Sequence, residues 1–335
     1  MLENISPINN QMLYGTLESP AIPEAKDTPG SAGDGFVSSK MRPLDAPGGT
    51  NLSTRGSNCE VKLSQNFAGA EADSASGCRE AHTSDIPTLK PDAPYALFDF
   101  DGTLSRGFIS MDFLDYAHEK GLYSDKEYRH QMDILDKYKN KTMSYDDWVE
   151  EWGRSWARGL EGRKQSDLDA AAKVFFESFK GNIYPEAERI VAELRSRGYS
   201  TVMVSAGVSE TADIAGRELG FDAVIATRCK VIDGVYTGEL ATSLHTASGK
   251  GKMVDELEAA YGAPTFAFGD SSGDIGMLSR SRHPVCLNPN SELRTVARQK
   301  GWERMPISSG VTYLQDVLAR EASSPLNENW NMAKI

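Results

Sequence analysis

Cysteine is scarce in this 335-residue chain, and its four copies (Cys59, Cys78, Cys229, Cys286) are scattered with no CxxC pair. A disulfide framework is therefore not expected. The five histidines form no HxH or HExxH pattern, which disfavours a zinc site. No apolar run approaches the roughly 20 residues of a membrane span. Residues 1–12 lack both a basic start and a continuous apolar core, so they do not read as a secretory signal. Positive charge is also in short supply. Lys and Arg number 36 against 48 Asp and Glu, a net charge of -12, and general affinity for nucleic acid or anionic membrane is not expected. Together these absences describe a protein of a reducing compartment, expected in the cytoplasm.

What is present is unevenly spread. Residues 1–90 are rich in Gly, Ser, Pro, Ala and Asn, as in Thr28-Pro-Gly-Ser-Ala-Gly-Asp-Gly35 and Ala46-Pro-Gly-Gly-Thr50. Sparse, aperiodic apolar residues cannot offset the entropy of ordering such a segment, so it is expected to be disordered. Early acids (Glu3, Glu18, Glu24) weigh against a transit peptide. From Tyr95 the texture changes. Apolar runs at 95–100, 201–205, 223–226, 266–269 and 285–287 read as strands, and helical patterns fall at 185–197, 209–219 and 252–261. That alternation predicts an α/β fold, a doubly wound parallel sheet with helices on both faces. Ligands of such sheets bind at the carboxyl ends of the strands.

Between the first two strands, residues 105–182 hold no convincing strand and are too long for a simple crossover. They are expected to form an inserted helical cap over 107–182, within a core of 91–106 and 183–320; residues 321–335 read as a flexible tail. Trp148, Trp152 and Trp156 recur every four residues, as one helix face would, and are expected to form the cap's own core rather than a substrate platform. Arg154 and Arg158 also share a face, either solvated or turned toward an anionic substrate. Asp233-Gly234 between alternating apolar residues marks a hairpin.

Four segments carry chemistry. Asp99-Phe-Asp-Gly-Thr103 ends a buried strand with two carboxylates that repel each other, a cost that a cation or shared proton would offset. Ser205 ends a second strand, and Ala206 and Gly207 offer backbone N–H groups to phosphate oxygens. Lys250 and Lys252 lie at the start of an amphipathic helix. Asp270 and Asp274 follow a further apolar strand.

This order resembles the haloacid dehalogenase (HAD) superfamily from about Tyr95 to Arg304, and looks closest to the branch that holds phosphoserine phosphatase. Tyr184-Pro-Glu-Ala, the Asp233-Gly234 hairpin and Asn288-Pro-Asn-Ser-Glu-Leu-Arg add to the likeness. The resemblance implies a Rossmann-like core and a Mg²⁺-dependent phosphomonoesterase acting on a small phosphate ester. By that resemblance Asp99 attacks phosphorus and Asp101 moves protons. Asp99, the Asp101 backbone carbonyl and Asp270 bind Mg²⁺. Ser205, with Ala206 and Gly207, holds phosphate, Lys250 neutralises charge, and Asp274 orients its neighbours. Lys250 is preferred over Lys252 because it precedes Gly251, as the family's lysine does. Ser205 and Asp274 also read as ordinary helix caps.

The pattern departs in three places. Phosphoserine phosphatases usually carry a glutamate where Phe108 stands, an Asn where Gly273 stands, and Gly where Ala206 stands. An apolar Phe108 cannot balance an ammonium group, so phosphoserine recognition does not follow, and the pocket is expected to be less polar than an amino-acid site. The rival readings are a phosphotransferase on the same scaffold and a non-catalytic binding or regulatory protein working through its N-terminal tail. A dehalogenase needs neither Asp101 nor Asp270.

Overall fold

Four consecutive buried residues, Tyr-Ala-Leu-Phe, make the first strand, β1 (Tyr95–Phe98), and their side chains alternate between two cores. Ala96 and Phe98 join one buried cluster, while Tyr95 and Leu97 join the other. A strand buried on both faces must lie inside a sheet covered on both sides. The computed structural model describes residues 86–244 and 247–323. Its seven-stranded sheet has the order β4-β3-β2-β1-β5-β6-β7. The other strands are β2 (Ser200–Val208), β3 (Ala223–Ile232), β4 (Val235–Thr242), β5 (Phe266–Gly269), β6 (His283–Leu287) and β7 (Glu303–Met305). All neighbours are parallel except β3 and β4. This is a Rossmann-like α/β fold.

Of the five α-helices between β1 and β2, the first four make up the insertion: α1 (Ile109–Glu119), α2 (Asp125–Lys139), α3 (Tyr145–Gly159) and α4 (Gln165–Phe179). Phe113, Trp156, Phe175 and Phe176 of these helices belong to the same buried cluster as Phe98 and Phe268 of the sheet. That face also takes α5 (Pro185–Ser196), α6 (Ser209–Glu218) and α10 (Gly310–Ala322); the opposite face takes α7 (Ala247–Tyr261), α8 (Ile275–Leu278) and α9 (Ser291–Lys300).

Asp233 and Gly234 both have positive φ (50° and 75°), as a tight primed hairpin turn requires, and join β3 to β4. β4 then grips the loop between α3 and α4. Gly162 N–H donates to the Tyr236 carbonyl, Tyr236 N–H to the Arg163 carbonyl, and Gln165 N–H to the Gly234 carbonyl, each at 2.9 Å.

Two expected boundaries shift. Leu89 is buried, and the Tyr261 hydroxyl donates to the Pro87 carbonyl, so packing begins before residue 91. Glu321 belongs to α10, 2.9 Å from the His283 ring, rather than to a tail. Of the segment expected to be disordered (1–90) and the expected tail (321–335), residues 1–85 and 324–335 lie outside the described residues. Among the described residues, no helix is long and apolar enough to cross a membrane, and Cys229 and Cys286 are free thiols.

Candidate active site

The central strands β2, β1 and β5 all point their carboxyl ends at one place. Asp99 follows β1 directly, and its N–H still donates to the Phe268 carbonyl of β5 (2.9 Å), which fixes its direction. Its carboxylate is buried. Oδ1 lies 2.5 Å from Lys250 Nζ, and Oδ2 accepts from the Thr103 hydroxyl at 2.9 Å. Burial, then the nearby Asp274 charge, push Asp99 up to about 6 in spite of Lys250. Asp101 is pushed further, to about 7, again by burial first, although the Ile109 N–H donates to its Oδ1 (2.9 Å) and works the other way.

Lys250 reaches the site from the first turn of α7. It is buried, and it donates to Asp99 and, at 2.7 Å, to Asp274 Oδ1. Burial pulls its pKa down, but the Asp274 and Asp99 carboxylates outweigh that and hold it above the ordinary lysine value. Asp274 is fully buried, and its Oδ2 accepts from the N–H groups of Asp270 and Ser271 (both 3.0 Å) and from the Ser271 hydroxyl (3.2 Å). Both its oxygens are thus engaged within the protein. Asp270 differs. Among the described residues its carboxylate has only the Thr103 hydroxyl, at 3.2 Å. Burial, then the Asp274 and Asp99 charges, hold its pKa well above the carboxylate range.

Donor oxygens of Asp99, Asp270 and Asp274 lie within 4.8 Å of one another. One lysine cannot balance three carboxylates, so the group has surplus negative charge fit for a divalent cation. Gly102 keeps that space open. Its φ of +83° suits glycine, and a Cβ there would stand 2.3 Å from Asp270 Oδ2.

β2 supplies the third side. Ser205 is buried, and its Oγ accepts from the Gly207 N–H (3.0 Å). Ala206 and Gly207 face the cavity. A Cβ on Gly207 would meet Ser110 Oγ at 2.8 Å and Asp101 Oδ2 at 3.3 Å, so only glycine lets β2 approach Asp101 this closely. The wall opposite comes from the inserted helices: Phe108, Ser110 and Met111 around the start of α1, and Tyr145, Trp148, Val149 and Trp152 from α3.

Residues 96–279 match the haloacid dehalogenase-like hydrolase model, more than half of the chain. The chain belongs to this HAD hydrolase family. A hydrolase of Mycobacterium leprae is 26% identical over 245 residues, covering 66% of this chain and 78% of that protein. The phosphoserine phosphatase SerB1 of Mycobacterium tuberculosis is also 26% identical, over 62% and 69% of the two chains. Among solved structures, a protein of unknown function from Bordetella pertussis superposes with a TM-score of 0.55 at 24% identity, over 64% of this chain and 99% of its own. That likeness is one of fold.

In this HAD hydrolase, Asp99, Asp101, Lys250, Asp270 and Asp274 converge with Ala206 and Gly207, while Ser205 stands just behind the cavity surface. Lys252 is exposed. The Asp101 carboxylate is outside the acidic group and accepts from the Ile109 N–H. Arg154 and Arg158 do not line the cavity: Arg154 pairs with Glu150, and Arg158 with Glu127 and Glu151. The tryptophan row divides. Trp156 is fully buried in the core, Trp152 is buried in the same core and also lines the cavity, and Trp148 lines the cavity. Thr103, Ser110, Met111, Tyr145 and Val149 were not singled out from sequence as site residues. Tyr145, Trp148, Val149 and Trp152 stand at i, i+3, i+4 and i+7, a spacing that would have found the α3 wall.

Proposed function

We propose that this HAD hydrolase is a Mg²⁺-dependent phosphomonoesterase that acts through an aspartyl-phosphate on a small phosphate ester, beneath a helical cap formed by residues 107–182. The observation that carries this reading is the charge arrangement around Asp99. Lys250 is shared between Asp99 and Asp274, while Asp270 is left without a cation in a cradle that a Cβ at Gly102 would fill. Structural ion pairs tend to balance, and this group does not. The relative named phosphoserine phosphatase supports a phosphate ester as substrate.

Asp99, Asp270 and the Asp101 carbonyl would hold Mg²⁺, which when bound offsets the charge of the phosphoryl group. Asp99 Oδ attacks phosphorus, forming an O–P bond to the aspartate while the ester O–P bond breaks. Asp101, whose carboxyl is pushed up to about 7, is protonated in about half of the molecules at neutral pH and in that form gives its proton to the departing alkoxide oxygen. The same carboxylate then takes a proton from the water that attacks the aspartyl-phosphate, releasing inorganic phosphate and restoring Asp99. Lys250 and the Ala206 N–H hold the phosphoryl oxygens in line, with the Ser205 hydroxyl, which accepts the Gly207 N–H, behind them.

The test is hydrolysis of an aryl phosphate with and without Mg²⁺. Turnover should require the metal, and Asp99→Asn should lower it by at least about 10³-fold while the protein stays folded. An Asp99→Asn protein with near wild-type turnover would reject Asp99 as the nucleophile.

A further inference from the structure

We infer that the leaving group taken by this site is an uncharged alcohol or phenol with a flat apolar body, held between Phe108 and the α3 row Tyr145, Trp148, Val149 and Trp152. The inference rests on the phosphomonoesterase reading and names the substrate class of the same site. Its basis is the chemistry of the cavity wall. Among the described lining residues, only Asp99, Asp101 and Lys250 carry charge, and all three belong to the phosphate end. Lys250 is already committed to Asp99 and Asp274.

The leaving-group end is built from Phe108, Met111, Trp148, Val149 and Trp152, with Tyr145 the polar group that α3 brings to it. A carboxylate there would meet no cation, because Arg154 and Arg158 are paired with cap glutamates. An ammonium group would meet Phe108, 42% exposed, where a carboxylate would be needed. Burying a carboxylate there without a partner should cost at least about 100-fold in kcat/KM, and an ammonium group would have aromatic faces but no counter-charge.

The apolar wall is also rigid. Trp148 stacks on Tyr138 (ring centroids 4.7 Å apart, 6° between planes) and packs against Tyr145 at 5.9 Å. Trp152 donates from Nε1 to Met111 Sδ at 3.0 Å and stacks on Trp156. The Tyr145 hydroxyl lies beside Gly273, 3.8 Å from where a Cβ at 273 would be, an ordinary contact distance. That hydroxyl has no hydrogen-bond partner among the described residues. Aromatic surfaces fixed in advance in this way favour a planar guest over a flexible zwitterion.

Two matched pairs of esters test this with the full chain and Mg²⁺: phenyl phosphate against 4-carboxyphenyl phosphate, and propyl phosphate against phosphoserine. Within each pair the reactivities are similar and the charge differs. The neutral member of each pair should have the higher kcat/KM by about 100-fold or more, and Trp148→Ala should raise KM for phenyl phosphate about tenfold. Val149→Arg should narrow the first pair by favouring the carboxylated ester. Equal kcat/KM within the pairs, or a preference for phosphoserine, overturns this inference and leaves the phosphomonoesterase reading standing. A folded protein that turns over none of the four esters, nor acetyl phosphate, overturns both. If Trp148→Ala fails to fold, the wild-type pairs and Val149→Arg decide.

Discussion

Replacing Lys250 by methionine keeps most of the side-chain volume and removes one buried charge. Lys250 Nζ lies 2.5 Å from Asp99 and 2.7 Å from Asp274, and all three side chains are buried. Removing one member of a buried ionic group leaves the others unpaired, which costs about 3–5 kcal/mol. For a domain of this size that is a fall in Tm of about 6–20 °C. The variant has one inexpensive escape, to hold a proton on a surplus carboxylate. Doing so becomes easier by about 1.4 kcal/mol for each pH unit lowered toward the ordinary carboxylate range. The loss should therefore be large at pH 7.5 and mostly gone near pH 5. Thermal melts of Lys250→Met and wild type at both pH values, in chelator, measure it. Melting within about 2 °C of wild type at pH 7.5, or a loss independent of pH, would refute the claim that Lys250 offsets buried carboxylate charge.

Two further outcomes concern groups outside that ion pair. Glu210 is buried with Oε2 unpartnered, and burial above all pushes its pKa up to about 7 although the Tyr236 hydroxyl donates to Oε1 at 2.9 Å. Its folded pKa is raised, so its contribution to stability is full below about pH 4.5, the ordinary glutamate value, and is lost as pH rises through 7. Glu210→Gln stays neutral throughout. Relative to wild type it should gain about 2–3 kcal/mol between pH 4.5 and 7.5 in denaturant titrations, and a flat difference across that range would refute the argument. Gly102→Ala forces a Cβ to within 2.3 Å of Asp270 Oδ2 at a φ of +83°. The Mg²⁺ needed for half-maximal turnover should rise at least about tenfold; an unchanged requirement would remove Asp270 from the set of metal ligands.

Most of the sheet was legible because its strands are local and emphatic. Tyr95–Phe98 is an unbroken apolar run ended by an acid, and Asp233-Gly234 leaves the chain little choice but a tight turn. The strand β7 (Glu303–Met305) was not legible, since three partly exposed residues at a sheet edge carry no alternation to read. Helix α7 begins at Ala247, five residues before its expected start at 252, despite Gly249 and Gly251. A lysine in the first turn also opposes the helix dipole. Both costs are local, and the ion pairs of Lys250 that outweigh them are made to residues 24 and 151 positions away, out of reach of any pattern along the chain. Likewise β2 runs on through Ala206 and Gly207 to Val208, past Ser205 where the strand was expected to end; Ser110, from α1, accepts the Val208 N–H at 3.1 Å.

The cavity wall shows how a correct helix can still be read onto the wrong face. A spacing of four residues advances about 400° around a helix, so each successive tryptophan is turned about 40° from the last. Across two such steps the drift is about 80°, and it separates Trp148 in the wall from Trp156 in the core. The row that stays on one face alternates three and four residues, and from Trp148 it runs back to Tyr145 and forward through Val149 to Trp152. Tyr145 follows Ser144, whose Oγ caps α3 by accepting the Asp147 N–H at 3.1 Å, so the row begins in the first turn of the helix. Chemistry concentrated in short motifs was therefore visible before the fold. The substrate-facing surface was not, because it depends on the phase of one helix, and that phase is fixed by packing against Tyr138, Met111 and the hairpin beyond it.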